Sequence, residues 1–158
     1  MTKEKIKDFT YRVTTANKTE LIVILYDIAE SYIEDAISDI EKADYKGCRE
    51  EIGHVRSTIR ELMNSVDTSQ EIGQNLLKLY IFCSEQLTKA FIDYDKNALY
   101  HVLSVIKKLR EAYDKVSVID KSEPVMQNAE KVYNGFSYNK NMMTENLAEG
   151  NFNRGFLV

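Results

Sequence analysis

Between Leu21 and Ala43 apolar side chains recur every three or four residues. Leu21, Leu25, Ile28, Tyr32 and Ala36 form one stripe, and Ile22, Tyr26, Ile33 and Ile40 widen it. The run Leu21–Tyr26 alone would suit a strand by its β-branching, but its continuation at this spacing predicts a helix. Asn17 followed three residues later by Glu20 supplies a capping-box start, because each side chain can take up a free backbone amide at the first turn. Asp44 opens a second pattern, a near-heptad stripe of Cys48, Ile52, Val55, Ile59, Leu62 and Val66 with Arg49, Glu50, Arg56, Arg60 and Glu61 around it. Asp67-Thr68-Ser69 ends that helix and is expected to cap the next, Glu71 to Asp93. Asp95 opens a fourth, carrying Leu99, Val102, Leu103, Ile106, Leu109, Tyr113 and Val116. Four helices of about 20–25 residues, each about 30–37 Å long, with very short connections, predict an all-α fold: an antiparallel up-down four-helix bundle.

The ends of the chain are patterned differently. Residues 1–16 lack a convincing period and read as a short N-terminal segment, with Ile6, Phe9, Tyr11 and Val13 to bury. After Val116 the pattern breaks. Pro124 to Tyr133 has the apolar spacing for one or two helical turns, and the asparagine-rich remainder reads as a flexible C-terminal tail. The expected division is 1–118 for the bundle and 119–158 for the extension.

The helix from Glu71 to Asp93 is apolar on more than one side. At about 100° per residue, Ile72, Leu76, Leu79, Tyr80, Cys83, Leu87, Ala90 and Phe91 share a core-facing stripe. Leu77 and Ile81, with the small Ser84 and Thr88, make a second row outside it, and Phe82 points away from both. Such a helix is either enclosed by neighbours or offers a groove to another molecule.

Composition narrows the function. A net charge of −4 and a pI of about 5.3 leave no electrostatic footprint for nucleic acid. One proline and six glycines in 158 residues suit long helices. Cys48 and Cys83 lack metal or redox spacing and read as buried thiols. No run approaches the roughly 18 apolar residues of a membrane span, and the charged N-terminus has no apolar stretch behind it, so a cytoplasmic protein without membrane insertion is expected. Glu51-x-x-His54 has the spacing of di-iron bundles but lacks the second copy of the motif such sites need, since His101 follows Ala98. Asp93-x-Asp95-x-Asn97 imitates the start of a calcium loop, yet Ala98 and Ser104 stand where glycine and the bidentate glutamate belong. His54 or His101 could serve as phosphoacceptor in a four-helix phosphotransfer domain, the alternative function on the same architecture. No nucleophile has its base nearby, and no catalytic residue, metal site or cofactor site is predicted. Ten tyrosines and six phenylalanines suit contact surfaces as well as cores, so the expectation is a protein that works by its surface.

Four stretches carry a family resemblance. Val13-x-Thr15-Ala16-Asn17 leading into Glu20-Leu21-Ile22-Val23-Ile24-Leu25-Tyr26-Asp27 resembles the entry to the first helix of the flagellar secretion chaperones, the FliS family. Glu61-Leu62-Met63-Asn64-Ser65-Val66-Asp67 resembles the end of that family's second helix, Glu71-Ile72-Gly73-Gln74-Asn75-Leu76-Leu77-x-Leu79-Tyr80 the start of its third, and Leu109-Arg110-Glu111-Ala112-Tyr113 the end of its fourth. Together they cover about residues 11 to 116. The resemblance implies a cytoplasmic chaperone that binds the disordered C-terminal segment of flagellin as helices in hydrophobic grooves. It would block premature polymerisation and present the subunit to the flagellar type III export gate, with that gate and a co-chaperone as further candidate partners. It also implies an N-terminal segment that covers part of the binding surface, with Phe9 or Tyr11 as its aromatic lid residue. The candidate partner-binding positions are Tyr11, Leu25, Tyr26, Asn75, Leu77, Tyr80, Ile81, Ser84 and Thr88. Lys18 stands where the family often has proline, and the extension after Val118 exceeds the common family length.

Overall fold

The structure, a computed structural model, describes residues 1–126. Five helices account for nearly all of them: α1 (Lys3–Thr15), α2 (Lys18–Glu41), α3 (Tyr45–Asn64), α4 (Glu71–Asp93) and α5 (Lys96–Ser117), with no strand among the described residues. The chain thus forms the expected all-helical bundle. Helix α2 packs against α3 and α5, and α4 packs against the same two, so the four long helices surround one core. Their connections, 42–44, 65–70 and 94–95, are too short to span a helix length at about 3.5 Å per residue, which obliges consecutive helices to run in opposite directions.

Helix α2 is the centre of the packing. Ile22, Val23 and Ile24 are all buried. Three consecutive helical positions cannot share one face, so α2 is enclosed on several sides. The positions that reach the core are Ile22, Tyr26, Ala29, Ile33, Ala36 and Ile37, while Leu25 and Tyr32 of the expected leading stripe are only half-buried. Ile52, Val55, Ile59 and Leu62 from α3, Tyr80, Cys83, Leu87 and Ala90 from α4, and Leu99, Val102 and Ile106 from α5 complete the core. Cys48 and Cys83 are buried free thiols, and burial pushes Cys83 up to about 12.

The helix starts follow from local hydrogen bonding, with one exception. Asn17 Oδ1 accepts from the Glu20 amide at 2.9 Å while a Glu20 carboxylate oxygen accepts from the Asn17 amide at 2.9 Å, a complete capping box. Asp44 accepts from the Gly47 amide, and Asp95 from the Asn97 amide, which is the use made of the calcium-loop imitation. The expected cap of α4 is corrected. Its cap position is Gln70, which makes no side-chain cap bond, because Asp67 Oδ1 is taken by the amide and hydroxyl of Ser69. What fixes this end of α4 is close approach: a Cβ on Gly73 would sit 1.8 Å from the Asp67 carbonyl oxygen.

Residues 1–16 also differ from expectation, since α1 is a regular helix. Thr2 caps it, and the hydroxyls of Thr10, Thr14 and Thr15 donate back to carbonyls of their own helix. Its period was obscured because it docks by charge as much as by apolar burial. Only Thr14 within it is fully buried, and Arg12 Nη2 reaches Asp27 of α2 at 2.6 Å.

Beyond α5 the chain turns back. Thr19 donates its hydroxyl to Asp120 Oδ2 at 2.5 Å, the Asn17 amide group donates to the Asp120 carbonyl at 3.4 Å, and the Val125 amide donates to the Ala16 carbonyl at 3.0 Å. The Thr19 hydroxyl, and after it the amide and hydroxyl of Ser122, hold the Asp120 carboxyl below its ordinary range. Residues 119–125 therefore strap the junction of α1 and α2, and the compact unit runs from Met1 to Val125. Residues 120–126 are non-helical, and the rest of the expected turn at Pro124–Tyr133, with the tail behind it, lies outside the described residues.

Replacing Gly73 by alanine must push α4 off the turn that carries Asp67. A net loss of about 1–3 kcal/mol in urea unfolding is expected, because the clash outweighs alanine's helix-propensity gain of about 1 kcal/mol.

Candidate partner-binding surface

Two neighbours in the C-terminal half of α4 establish which way its sides face. Gln86 lies 3.5 Å from His101 of α5, so that side of α4 looks to α5. Phe91 lies under two guanidinium groups of α3, Arg49 at 5.2 Å and Arg56 at 6.0 Å from the ring centroid, so its side looks to α3. Leu77, Ser84 and Phe91 are spaced by seven residues and lie on one line of the helix, with Ile81 and Thr88 beside it. The second apolar row therefore runs along the α3 flank of α4.

Along this row Leu77 is half-buried, Ile81 is 44% exposed and Thr88 is exposed, whereas Asn75, about 160° round the helix from Leu77, is exposed on the other side of α4. The hydroxyl of Ser84 donates to the Tyr80 carbonyl and that of Thr88 to the Ser84 carbonyl, both at 2.9 Å. With these donors turned onto their own helix, the row presents mainly carbon to solvent. Two residues expected in the core stripe join the exposed set. Leu79 is exposed, and Ile72 is 70% exposed on the rim of a cleft of about 240 Å³ that also takes in Ile22, Leu76 and Tyr113. The stripe at 100° per residue is wider than the seam that α3 and α5 cover, which leaves its edge positions in water. Phe82 and Ile92 are exposed as well, so α4 carries apolar side chains well round its circumference.

Tyr26 and Tyr80 are placed elsewhere. Both are buried, and their hydroxyls meet at 2.5 Å across the core between α2 and α4. Tyr113 of α5 packs edge-on against Tyr26 at 5.6 Å. Burial raises the Tyr26 and Tyr80 phenols above their ordinary value, Tyr80 to about 12, so both are neutral at physiological pH and one hydroxyl donates to the other. They support the surface from beneath and are not part of it in this form. Leu25 is half-buried against the same core.

Helix α1 covers a different face, against α2. Under it lies a cleft of about 760 Å³ lined chiefly by charged groups, among them Glu4, Lys5, Arg12, Glu30, Lys107 and Glu111. Its centre is Asp27, which accepts from Arg12 of α1 at 2.6 Å and from Arg110 Nε of α5 at 2.9 Å. The bond to Asp27 raises Arg110 above its ordinary value. Phe9 is the aromatic that faces this cleft, with Arg12 over its ring at 5.6 Å, whereas Tyr11 is 58% exposed and points outward. Nothing in the sequence links Arg12, Asp27 and Arg110, which are separated by 15 and 83 residues, so this ion cluster was not foreseen.

The histidines are engaged separately. His54 is stacked on Tyr32 at 4.6 Å, and Glu51, three residues before it, accepts from the Met1 amino group. Among the described residues no three His, Cys, Asp or Glu side chains come together as a metal site, and no helix is long and apolar enough to cross a membrane.

A helical bundle with a polar-anchored N-terminal helix and an apolar row left open on α4 has the makings of a binding protein that receives another chain. The sequence model of the flagellar protein FliS matches residues 2–120, and the chain belongs to that family, a family of flagellar chaperones. No curated protein matches it.

Two outcomes follow from the geometry. Tyr26→Phe or Tyr80→Phe alone strands a buried hydroxyl and is expected to cost about 1–3 kcal/mol, while the double replacement costs less than the sum; urea titrations of the three variants measure this cycle. Asp27→Asn weakens the anchor of α1, and amide hydrogen exchange in α1 should accelerate about fivefold, on the order of 1 kcal/mol, with the core of α3 and α4 unchanged.

Proposed function

We propose that this protein is a cytoplasmic export chaperone that holds the C-terminal segment of flagellin along hydrophobic surface until export. The observation that carries this reading is the open row on α4: a helix in a well-packed bundle leaves Leu77 half-buried and Ile81 and Ile92 exposed along the same flank. Isolated exposed apolar residues mean little, but a contiguous set along one helix matches helix-in-groove recognition, where anchors at spacings of three, four and seven enter the groove. Family membership supplies the partner, since flagellin is the cargo the FliS family implies.

The mechanism is sequestration. A flagellin segment folding as amphipathic helices on α4 buries the side chains it would use to polymerise. The face under α1 is the second place for it. The helix α1 is held there by ion pairs over a charged cleft, contacts that water can replace at small cost, so an incoming segment can displace it. Delivery to the export gate, and service by a co-chaperone, would use surface that remains outside the bound segment. No cofactor or covalent step enters this reading.

Calorimetric titration with a peptide covering the C-terminal segment of flagellin from the same source tests it. Saturable one-to-one binding with a negative heat-capacity change is expected, as for a segment that folds while burying apolar surface. Replacing Leu77 and Ile81 together by glutamate should weaken binding at least tenfold, about 1.4 kcal/mol, with helix content retained. Absence of binding by the wild-type chain would sink the proposal.

A further inference from the structure

The outward side of α3 carries a feature that the bundle itself does not use. At about 100° per residue, Lys46, Arg49, Gly53, Arg56 and Arg60 fall within an arc of about 80°, and Glu50, His54 and Glu61 lie to the other side of it. All four basic residues and Gly53 are exposed, in a chain whose net charge is −4. Among the described residues, the ion pairs of the bundle include none of Arg49, Arg56 and Arg60, and Lys46 has only an exposed contact to Glu50 at 3.8 Å. Arg49 and Arg56 are nonetheless ordered by the Phe91 ring, and Arg49 also lies 5.2 Å from the Tyr94 ring. A guanidinium held over a ring still has N–H groups free for a carboxylate, with less side-chain freedom to lose on binding.

Gly53 is the second observation. It sits mid-helix, where glycine is a poor choice, and a Cβ there would meet nothing within 4 Å. Its two fellow glycines in helices differ: at Gly47 and Gly73 a Cβ would collide with neighbouring atoms. Internal packing thus accounts for those two and not for Gly53. A side chain absent at the centre of a basic stripe lets a second backbone come close.

The stripe adjoins the apolar row, because Phe91 belongs to the row's side of α4 and lies beneath Arg49 and Arg56. We propose that the segment seated on α4 is an amphipathic helix with carboxylates along one edge, that this edge pairs with Arg49, Arg56 and Arg60, and that its backbone passes closest to α3 at Gly53. This rests on the flagellin-binding reading and adds to it the charge and register of the bound segment. The apolar row supplies affinity. The arginines choose which way the segment faces, since reversing it would bring carboxylates onto apolar surface and leave the guanidinium groups unpaired.

The test uses the full-length chain and the same flagellin C-terminal peptide, titrated at roughly 0.05 M and 0.5 M salt, where screening differs severalfold in range. Three chains are compared: wild type, Arg56→Glu/Arg60→Glu, and Gly53→Leu. Both variants replace exposed residues by good helix formers, and circular dichroism and thermal melting check that they fold. The wild type should bind about tenfold more weakly at high salt. The charge-reversed chain should bind at least tenfold more weakly than wild type at low salt and lose the salt dependence, and Gly53→Leu should weaken binding at both salt concentrations. Wild-type binding that is indifferent to salt and to both variants overturns the inference and leaves the flagellin reading standing. No binding by the wild type overturns both.

Discussion

A helix with three consecutive apolar residues near its start has to be surrounded there, and α2 is that helix. Ile22, Val23 and Ile24 in succession can be buried only if neighbours stand on several flanks. Helices α3 and α5 take two of them and α1 lies over another, while α4 closes the ring from the far side. The hydroxyl bond between Tyr26 and Tyr80 joins two helices that face each other across the core, and its burial makes the spacing there intolerant of change. The rigidity this gives α2 and α4 passes to the outer surface of α4, where the apolar row needs a firm backing to act as a groove.

The two faces of the bundle are closed by different physics. The core is sealed by aliphatic packing, which has no cheap substitute in water. The seat of α1 is sealed by Arg12, Asp27 and Arg110 above a charged cleft, where solvent can take over each bond. A protein built this way can give up one helix without losing its fold. The stability of the four-helix core and the availability of the α1 face are therefore nearly independent quantities, and selection or engineering can adjust one without the other.

Much of this was readable from the chain alone, for identifiable reasons. Helices α2 to α5 are long and strongly periodic, and Asn17, Asp44 and Asp95 announce three of their starts by residue type. The start of α4 was misread because Asp67 and Ser69 satisfy each other, and the real determinant, the empty space of Gly73 against the Asp67 carbonyl, is a tertiary contact that no local pattern encodes. Helix α1 was missed because its partners lie far away in sequence. The row Leu77, Ile81, Ser84, Thr88 was visible from helical angles, since it depends on one helix only. Which flank it faces, and that Ile72 and Leu79 leave the core, depend on how far α3 and α5 reach. Tyr80 could be placed in the core by its stripe, whereas the burial of Tyr26 against it required knowing that α2 and α4 meet.

The strap after α5 has a consequence for the order in which the molecule is made. Its bonds to Ala16, Asn17 and Thr19 link residues that are about a hundred positions apart. On the ribosome, where synthesis proceeds from the N-terminus at about 5–20 residues per second, the junction of α1 and α2 is made seconds before the segment that ties it. During that interval Arg110 is also missing, so Asp27 has one guanidinium instead of two. The last residues of the compact unit to be made are therefore the ones that fasten the junction of α1 and α2. The compact unit is complete only when this junction is fastened.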